Sequence, residues 1–297
     1  MKNKLAIWAG KQWFAPAAIL GLALFLRLWK LGDSNLWWDE ALAIWAVRKG
    51  FVGVTVWTAG DVHPPLYFWS LWAWVSAFGE SEFAMRLLSV SFGVLTVAAV
   101  YVLAHRVAGK HAAIVASLLT AVAPFHVWWS QEMRMYVLAG LLCVLSLYTL
   151  IRWLDDERDD SPRQGRLSPW FWAYIATTTA SLYTIFLVGI VVVAQNIAVL
   201  VALFSKRYDR KRLFWRWVLA ELAVGALVAI WLVFSWGRMQ TWSVSAPTTL
   251  SFVAKLYAIL LGTGVSVNID AVWWGAVPLL STLFVGGIIA LLPSVRK

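Results

Sequence analysis

The sequence predicts an all-α polytopic membrane protein with about eight transmembrane helices and further helices lying at the membrane surface. Of its 297 residues, 61% are hydrophobic and only 13% are charged, which is too little polar surface for a soluble domain. Most apolar runs approach the roughly 20 residues needed to cross about 30 Å of hydrocarbon. The 22 tryptophans suit the two interfaces of a membrane, where their amphipathic rings concentrate.

The apolar runs place the spans in chain order. The segment MKNKLAIWAGKQWF has no small-residue cleavage site before the first run, so it predicts an uncleaved signal anchor. The run from Trp170 to Phe204 is too long for one helix and predicts two short spans turning near Tyr183. The other predicted spans are 14–31, 84–104, 112–128, 136–154, 213–235 and 272–292.

The distribution of positive charge decides how the segment 64–78 lies. If this segment does not cross the membrane, 17 of the 25 lysines and arginines fall on one side, which the positive-inside rule makes cytoplasmic. The N-terminus is then cytoplasmic, and residues 32–82 form one extracytoplasmic loop with surface helices at about 38–49 and 64–78. A further surface helix is predicted near 250–261. We therefore expect a multi-pass protein of the cell membrane.

Charge and cysteine content exclude several classes of protein. The net charge of +10 is explained by basic cytoplasmic loops facing anionic lipid, so no nucleic-acid partner is expected. The single cysteine, Cys143, permits no disulfide framework. No soluble segment is evident, and residues 1–297 are interpreted as one transmembrane domain.

Acidic residues in the predicted outer loop are the first candidates for chemistry. A carboxylate beside apolar rings at a membrane surface is costly unless it is paired or used. Asp39 and Glu40 are adjacent, so on a helix they diverge by roughly 100° and one can act while the other orients a neighbour. The structural alternative is that Asp39 caps a helix beginning at Ala41.

Two other outer segments carry candidate residues. His63 precedes Pro64 and Pro65, which suit the first turn of a helix that Asp61 could cap. His63 is either a metal ligand or a hydrogen-bonded interfacial residue. In the segment WWSQEMRMY, Glu132, Arg134 and Tyr136 lie at the outer end of a span. Arg134 suits bidentate phosphate binding, although an arginine there also commonly reaches to lipid phosphate.

Four motifs in order resemble a known family. LWWDEAL, HPPLYFW, FAMRLLSVSFGVLTV and SQEMRMY are similar to segments of the bacterial relatives of protein O-mannosyltransferases and lipid A aminoarabinose transferases, which have the GT-C fold. The resemblance covers about residues 14–205, and beyond them only the hydropathy matches. It implies a GT-C transmembrane bundle that transfers a sugar from a polyprenyl-phosphate donor to an acceptor at the outer face of the membrane.

The resemblance also implies roles for particular residues. Asp39 matches the proposed catalytic base, and Glu40 matches the acid beside it. His63 matches a position that in some relatives helps to hold a divalent metal, here Mg²⁺, Mn²⁺ or Zn²⁺. The residues assigned to the donor phosphate are Arg134, Tyr136, Glu132 and Arg86. Membrane lipids and an acceptor of unknown class are the other expected partners.

The sequence departs from the family in two respects. Ile185 occupies an outer turn where many relatives carry histidine or lysine, and the chain has fewer spans and no C-terminal soluble region. An inactive membrane scaffold of the same fold is therefore one alternative. A transporter or flippase of lipid-linked substrates is another alternative. It would be expected to place charge near the middle of its spans, but such charge is nearly absent here, with Glu221 as the main candidate, which argues against it.

Overall fold

The computed structural model describes residues 2–33, 35–159, 166–239, 249 and 251. Within this part of the chain, the regular structure is α-helical apart from a 3₁₀ turn at Phe186–Val188 and an isolated bridge between Arg158 and Tyr208. The helices are α1 (Lys2–Leu28), α2 (Trp38–Val47), α3 (Gly50–Ala59), α4 (Leu66–Phe78), α5 (Glu82–Val122), α6 (Pro124–Ser130), α7 (Tyr136–Glu157), α8 (Pro169–Leu182), α9 (Gly189–Leu203) and α10 (Arg210–Ser235). The predicted all-α class is confirmed.

Four helical segments among the described residues are long and apolar enough to cross a membrane. They are Glu82–Val122, Tyr136–Glu157, Phe186–Leu203 and Arg210–Ser235. The predicted turn near Tyr183 is confirmed, because α8 ends at Leu182 and the 3₁₀ turn leads into α9. The predicted span 272–292 and the predicted helix near 250–261 lie outside the described residues. The total of eight spans therefore stays a prediction.

Helix α5 is two helices joined at Gly109. Its 41 residues would be roughly 60 Å long if straight, about twice the hydrocarbon thickness. Gly109 has φ +81° and ψ −176°, a conformation that favours glycine. Val97 and Ala121 lie at equal sequence distances on either side of Gly109 and pack in the same cluster. The two halves therefore fold back on each other, as the two predicted spans 84–104 and 112–128 require, although the second half ends at Val122.

Helices are present at two of the predicted surface positions, 38–49 and 64–78, with one addition. Helix α2 ends at Val47 rather than at residue 49, and α4 begins at Leu66, just after Pro64 and Pro65. The sequence pattern does not predict α3, because its residues GFVGVTVWTA are rich in glycine and β-branched side chains. The 13 residues of α4 are too few to cross a membrane, in agreement with a surface position, although that position stays a prediction.

The described residues divide into two compact units. The first contains residues 2–33 and 89–132, and the second contains 35–88, 133–159 and 166–239. The prediction of a single domain over residues 1–297 stays a prediction.

The first unit is organised around Arg27, which is fully buried near the end of α1. Its guanidinium donates to carbonyl oxygens near helix ends: Ala23 at 2.9 Å, Ala121 at 3.1 Å and Thr120 at 3.3 Å. It also contacts Ser130 Oγ at 3.1 Å and His126 Nδ1 at 2.7 Å. Because arginine has only donors, Nδ1 of His126 must accept this hydrogen bond. A side chain at Gly93 would clash with Ser130 and Arg27, so α5 needs glycine there.

The core of the second unit lies among α7, α8, α9 and α10. Its buried residues include aromatic rings in edge or tilted contact, with Trp153 5.3 Å from Phe171 and 5.6 Å from Tyr174. At one end of this bundle, buried Glu157 accepts from Trp153 Nε1 at 2.9 Å and from Arg216 at 2.8 Å. These contacts satisfy a carboxylate that could not otherwise be buried.

The other end of the bundle supports the candidate site. The backbone N–H of Leu66, the first residue of α4, donates to the Tyr183 carbonyl at 2.9 Å. The Trp69 ring lies 6.3 Å from those of Tyr183 and Trp231. The start of α4, which follows His63, is thereby fixed against the turn between α8 and α9 and against α10.

Candidate active site

The two acids of α2 face different partners, as their helical spacing predicts. Helix α2 begins at Trp38 with Trp37 as its N-cap, so Asp39 and Glu40 lie inside the first turn. The alternative that Asp39 caps a helix beginning at Ala41 is therefore wrong. Acidic side chains are common in a first helical turn, because the helix dipole attracts negative charge there. The side chain of Glu40 is fully buried, whereas that of Asp39 is 32% exposed.

Glu40 forms a buried ion pair with Arg86. The guanidinium donates from Nε to Oε1 at 3.0 Å and from Nη2 to Oε2 at 2.7 Å. Glu40 Oε1 also accepts the backbone N–H of Met133 at 3.1 Å. This carboxylate therefore joins α2, the N-terminal part of α5 and the segment that leads to Arg134. Both charged groups are shielded from solvent. The buried Arg86 guanidinium is therefore badly placed to bind a donor phosphate.

Arg134 is the cation that faces Asp39. Its Nη1 lies 3.4 Å from Asp39 Oδ2, and its Nη2 donates to the Tyr136 hydroxyl at 3.5 Å. The guanidinium carbon lies 5.6 Å from the centroid of the Tyr136 ring. The side chain is only 10% exposed, and its buried Nε has no hydrogen-bond partner among the described residues. Arg134 thus keeps unused donor capacity beside a carboxylate, which is the arrangement expected of an anion-binding group.

Asp61 and His63 form a second pair, in the loop between α3 and α4. His63 Nδ1 lies 3.0 Å from Asp61 Oδ2, and the Val62 N–H donates to Asp61 Oδ1 at 2.7 Å. Burial opposes the ionisation of Asp61. Hydrogen bonds from His63 and Val62 and the charges of His63 and Arg134 outweigh that effect, so the pKa of Asp61 lies below its ordinary value of 3.8. Asp61 is therefore an anion, and Nδ1 of His63 carries the donated proton.

The described residues supply a well-oriented histidine for a metal site but not a full set of ligands. They contain no group of three or more His, Cys, Asp or Glu side chains suited to hold an ion. The Asp61–His63 pair nevertheless has the form in which a metal-ligating histidine donates its other ring N–H to a carboxylate. His63 could thus offer Nε2 as one ligand, with Asp61 fixing the ring. The carboxylate that orients His63 was not recognised in the sequence, although the spacing Asp-x-His carries the signal.

Glu132 and Ile185 are the remaining predicted positions. Glu132 is half-buried and belongs to the first unit, so its assignment to the donor phosphate stays a prediction. Ile185 lies in the turn between α8 and α9, as predicted. That turn contacts the start of α4 through Tyr183 and Leu66.

Comparison with known families decides what kind of protein carries this site. The family model described as dolichyl-phosphate-mannose-protein mannosyltransferase matches residues 62–236, which are more than half of the chain. The chain belongs to this family. The resemblance stated from four sequence motifs is thereby confirmed. The matched range of the mannosyltransferase family includes His63, Arg86 and Arg134, whereas Asp39 and Glu40 precede it.

A solved structure gives the fold of this member of the mannosyltransferase family. ArnT from Cupriavidus metallidurans, in the apo state, superposes with a TM-score of 0.60 at 19% sequence identity. The match covers 86% of this chain and 49% of ArnT, so the chain spans about half the length of that protein. The predicted GT-C fold is confirmed. A comparison with curated protein sequences finds no match.

Proposed function

We propose that the chain is a glycosyltransferase that moves a sugar from a polyprenyl-phosphate donor to an acceptor at the outer face of the membrane. Membership of the mannosyltransferase family supports this class of reaction. The observation that carries the proposal is the pairing of Asp39 with Arg134, whose Nε is unpartnered among the described residues. A general base and a phosphate-binding cation are the two groups that glycosyl transfer from a phosphate requires.

The proposed reaction assigns one task to each of these two residues. The acceptor oxygen forms a bond to the anomeric carbon of the donor, and the bond from that carbon to the phosphate oxygen breaks. The acceptor proton passes to the carboxylate of Asp39, and the phosphate leaves with the bonding electron pair. Arg134 balances the charge that develops on the departing phosphate. Tyr136 holds the guanidinium from its other side.

The ion pair suggests an order of events. A donor phosphate that binds Arg134 competes with Asp39 for the same guanidinium, across a contact of only 3.4 Å. The carboxylate is then released to accept a proton when the donor is already in place. Binding of the donor thus frees the carboxylate of Asp39 before it takes the proton of the acceptor.

Glu40 and Arg86 act as positioning residues in this proposal. Glu40 holds the Met133 N–H, and the next residue in the chain is Arg134. Loss of the Glu40–Arg86 pair would shift the Arg134 guanidinium relative to Asp39 without removing either of the two groups that act in the reaction. This assignment differs from the prediction that Arg86 binds the donor phosphate and that Glu40 is catalytic.

We extend the proposal to a divalent cation, Mg²⁺, Mn²⁺ or Zn²⁺, with His63 as a ligand and Asp61 as the residue that orients it. When bound, such an ion would neutralise negative charge on the phosphate. Without it, Arg134 would carry that charge alone.

The test is a transfer assay with purified protein in lipid nanodiscs. Polyprenyl-phosphate mannose and polyprenyl-phosphate aminoarabinose are supplied as radiolabelled donors, and cell-envelope extract is supplied as the source of acceptors. We expect label to move from the polyprenyl phosphate into an envelope component, and no label to move with Arg134→Gln. Donor consumption that is unaffected by Arg134→Gln would overturn the proposed site, and the absence of transfer from any donor would favour the inactive scaffold.

A further inference from the structure

A slot lined by α1 and α5 lies in the first unit and shares no residue with the Asp39–Arg134 site. Its outer cavity has a volume of about 430 Å³ and is lined by Trp13, Tyr101, Val102, His105 and Lys110. Its inner cavity, of about 230 Å³, is lined by the same Trp13, Tyr101 and Val102 and by residues deeper along both helices. Because the two cavities share three lining residues, they lie next to each other, and together they are called the slot.

The inner cavity accepts only an apolar ligand. Its walls include Ala17 and Leu20 of α1 and Val97 and Ala98 of α5, and the two alanines provide its width. Two hydroxyl-bearing residues line it: Tyr101, which it shares with the outer cavity, and Ser117, whose hydroxyl donates to the carbonyl of Ala113 in its own helix at 2.7 Å. The proton of the Ser117 hydroxyl is thus unavailable to a ligand. The buried cluster containing Val97 and Ala121 borders this cavity, so the slot lies against the core of the first unit.

The mouth of the slot is cationic and polar. Lys110 follows the break at Gly109, where the chain turns between two predicted spans, and its side chain is exposed. The His105 ring lies 6.0 Å from that of Tyr101, so an imidazole and a phenol stand with the ammonium group around the outer cavity. These groups supply a positive charge and hydrogen-bond donors at the end of a span, where lipid phosphates lie.

We propose that this slot binds one anionic phospholipid, with an acyl chain in the inner cavity and the phosphate at Lys110. A basic pocket between transmembrane helices is the usual form of an anionic-lipid site. The apolar inner cavity suits an acyl chain. The positively charged mouth favours a headgroup with a net negative charge over a zwitterionic one. The proposal does not rest on glycosyl transfer, because it uses none of the residues assigned to that reaction.

The test uses the whole protein in a neutral detergent, titrated with phosphatidylglycerol or phosphatidylcholine of identical acyl chains. Native mass spectrometry measures the fraction of protein molecules that retain one bound lipid. We expect tighter retention of phosphatidylglycerol, weakened roughly fivefold by Lys110→Gln because one interfacial cation is lost. We expect Ala98→Leu, which fills the inner cavity, to weaken retention of the same lipid roughly tenfold or more.

Two further measurements make the assignment specific. Lys206→Gln removes a positive charge from another exposed turn and should leave retention unchanged. A phosphatidylglycerol with a photoreactive group in its acyl chain should crosslink to peptides 16–20 and 97–102 in the wild-type protein. Equal retention of the two lipids, crosslinks confined to other peptides, or retention that Lys110→Gln leaves unchanged would each overturn the proposal.

Discussion

At the scale of single residues, Asp39 and Glu40 show how adjacent carboxylates acquire different surroundings. One turns towards Arg134 and remains partly in solvent, and the other is buried against Arg86. The helical spacing of about 100° per residue predicts this divergence. It does not identify the partners, because Arg86 lies 46 residues from Glu40 and no local pattern connects them.

Replacing the proposed base should separate chemistry from folding. We expect Asp39→Asn to lower the rate of sugar transfer roughly 100-fold or more, since a positioned general base contributes at least that factor. The thermal unfolding midpoint should change little, because Asp39 is partly exposed. Radiolabel transfer and unfolding in the same nanodiscs provide the two measurements.

The matched control is Asp33→Asn, an exposed acid outside the site. It should transfer sugar at the wild-type rate. An Asp39→Asn enzyme with wild-type activity would remove Asp39 from the mechanism.

The Glu40–Arg86 pair should act mainly on stability. Breaking a buried ion pair from one side leaves a buried charge, so Glu40→Gln or Arg86→Met should each lower the free energy of unfolding by about 3–5 kcal/mol. The double variant should lose less than the sum of the two. Denaturant unfolding of all three variants measures the coupling.

The exposed pair of Arg48 and Glu80, with a contact of 2.7 Å, is the control for this cycle. Arg48→Met should have a much smaller effect, because solvent screens that interaction. If the losses in the free energy of unfolding at Glu40 and Arg86 simply add in the double variant, the buried contact does not couple the two residues.

The proposed metal ligand has its own test. We expect exhaustive chelation to reduce transfer, readdition of Mg²⁺, Mn²⁺ or Zn²⁺ to restore it, and His63→Ala to prevent that restoration. Metal binding measured by calorimetry gives a readout separate from activity. His111→Ala is the control, since His111 is exposed and outside the site. Full activity after chelation, together with wild-type rates for His63→Ala, would leave Arg134 as the sole counter-charge.

At the scale of helices, hydropathy predicts the long apolar segments well and the short ones poorly. Helix α7 and the turn at Tyr183 follow directly from the length of their apolar runs. Helix α3 was missed because its glycine and β-branched residues have weak helix propensity, and packing against α2 and α4 stabilises it instead. Local sequence cannot report such packing.

The break in α5 gives a prediction for a single glycine. We expect Gly109→Ala to destabilise the protein by about 1–3 kcal/mol, because its φ of +81° strains any residue with a Cβ atom. Apart from the neighbouring residues of its own chain segment, no atom lies within 4 Å of the added Cβ, so backbone strain dominates the effect. Gly140→Ala is the control within α7, where there is equal space. It should leave stability unchanged or raise it slightly, since alanine is the better helix former. A loss at Gly140 as large as that at Gly109 would contradict this account.

At the scale of the whole molecule, the charge distribution predicts which side each segment faces. After Cys143 is replaced by alanine, a cysteine at Ser81 should react with a membrane-impermeant maleimide added to intact cells. A cysteine at Ala108 should react only after the cells are opened. Labelling of Ala108→Cys from outside would reverse the predicted topology.

Arg27 has a consequence for how the protein is made. Its acceptors at Thr120, Ala121 and His126 are encoded 93 to 99 residues later, so α1 is synthesised long before they exist. At ordinary rates of translation this delay is on the order of 5–20 s. During that time α1 carries a positive charge that membrane insertion disfavours. The first helix should therefore wait at the insertion machinery or at the interface until α5 and α6 emerge, and ribosome-bound chains shorter than about residue 120 should leave it extractable by alkali.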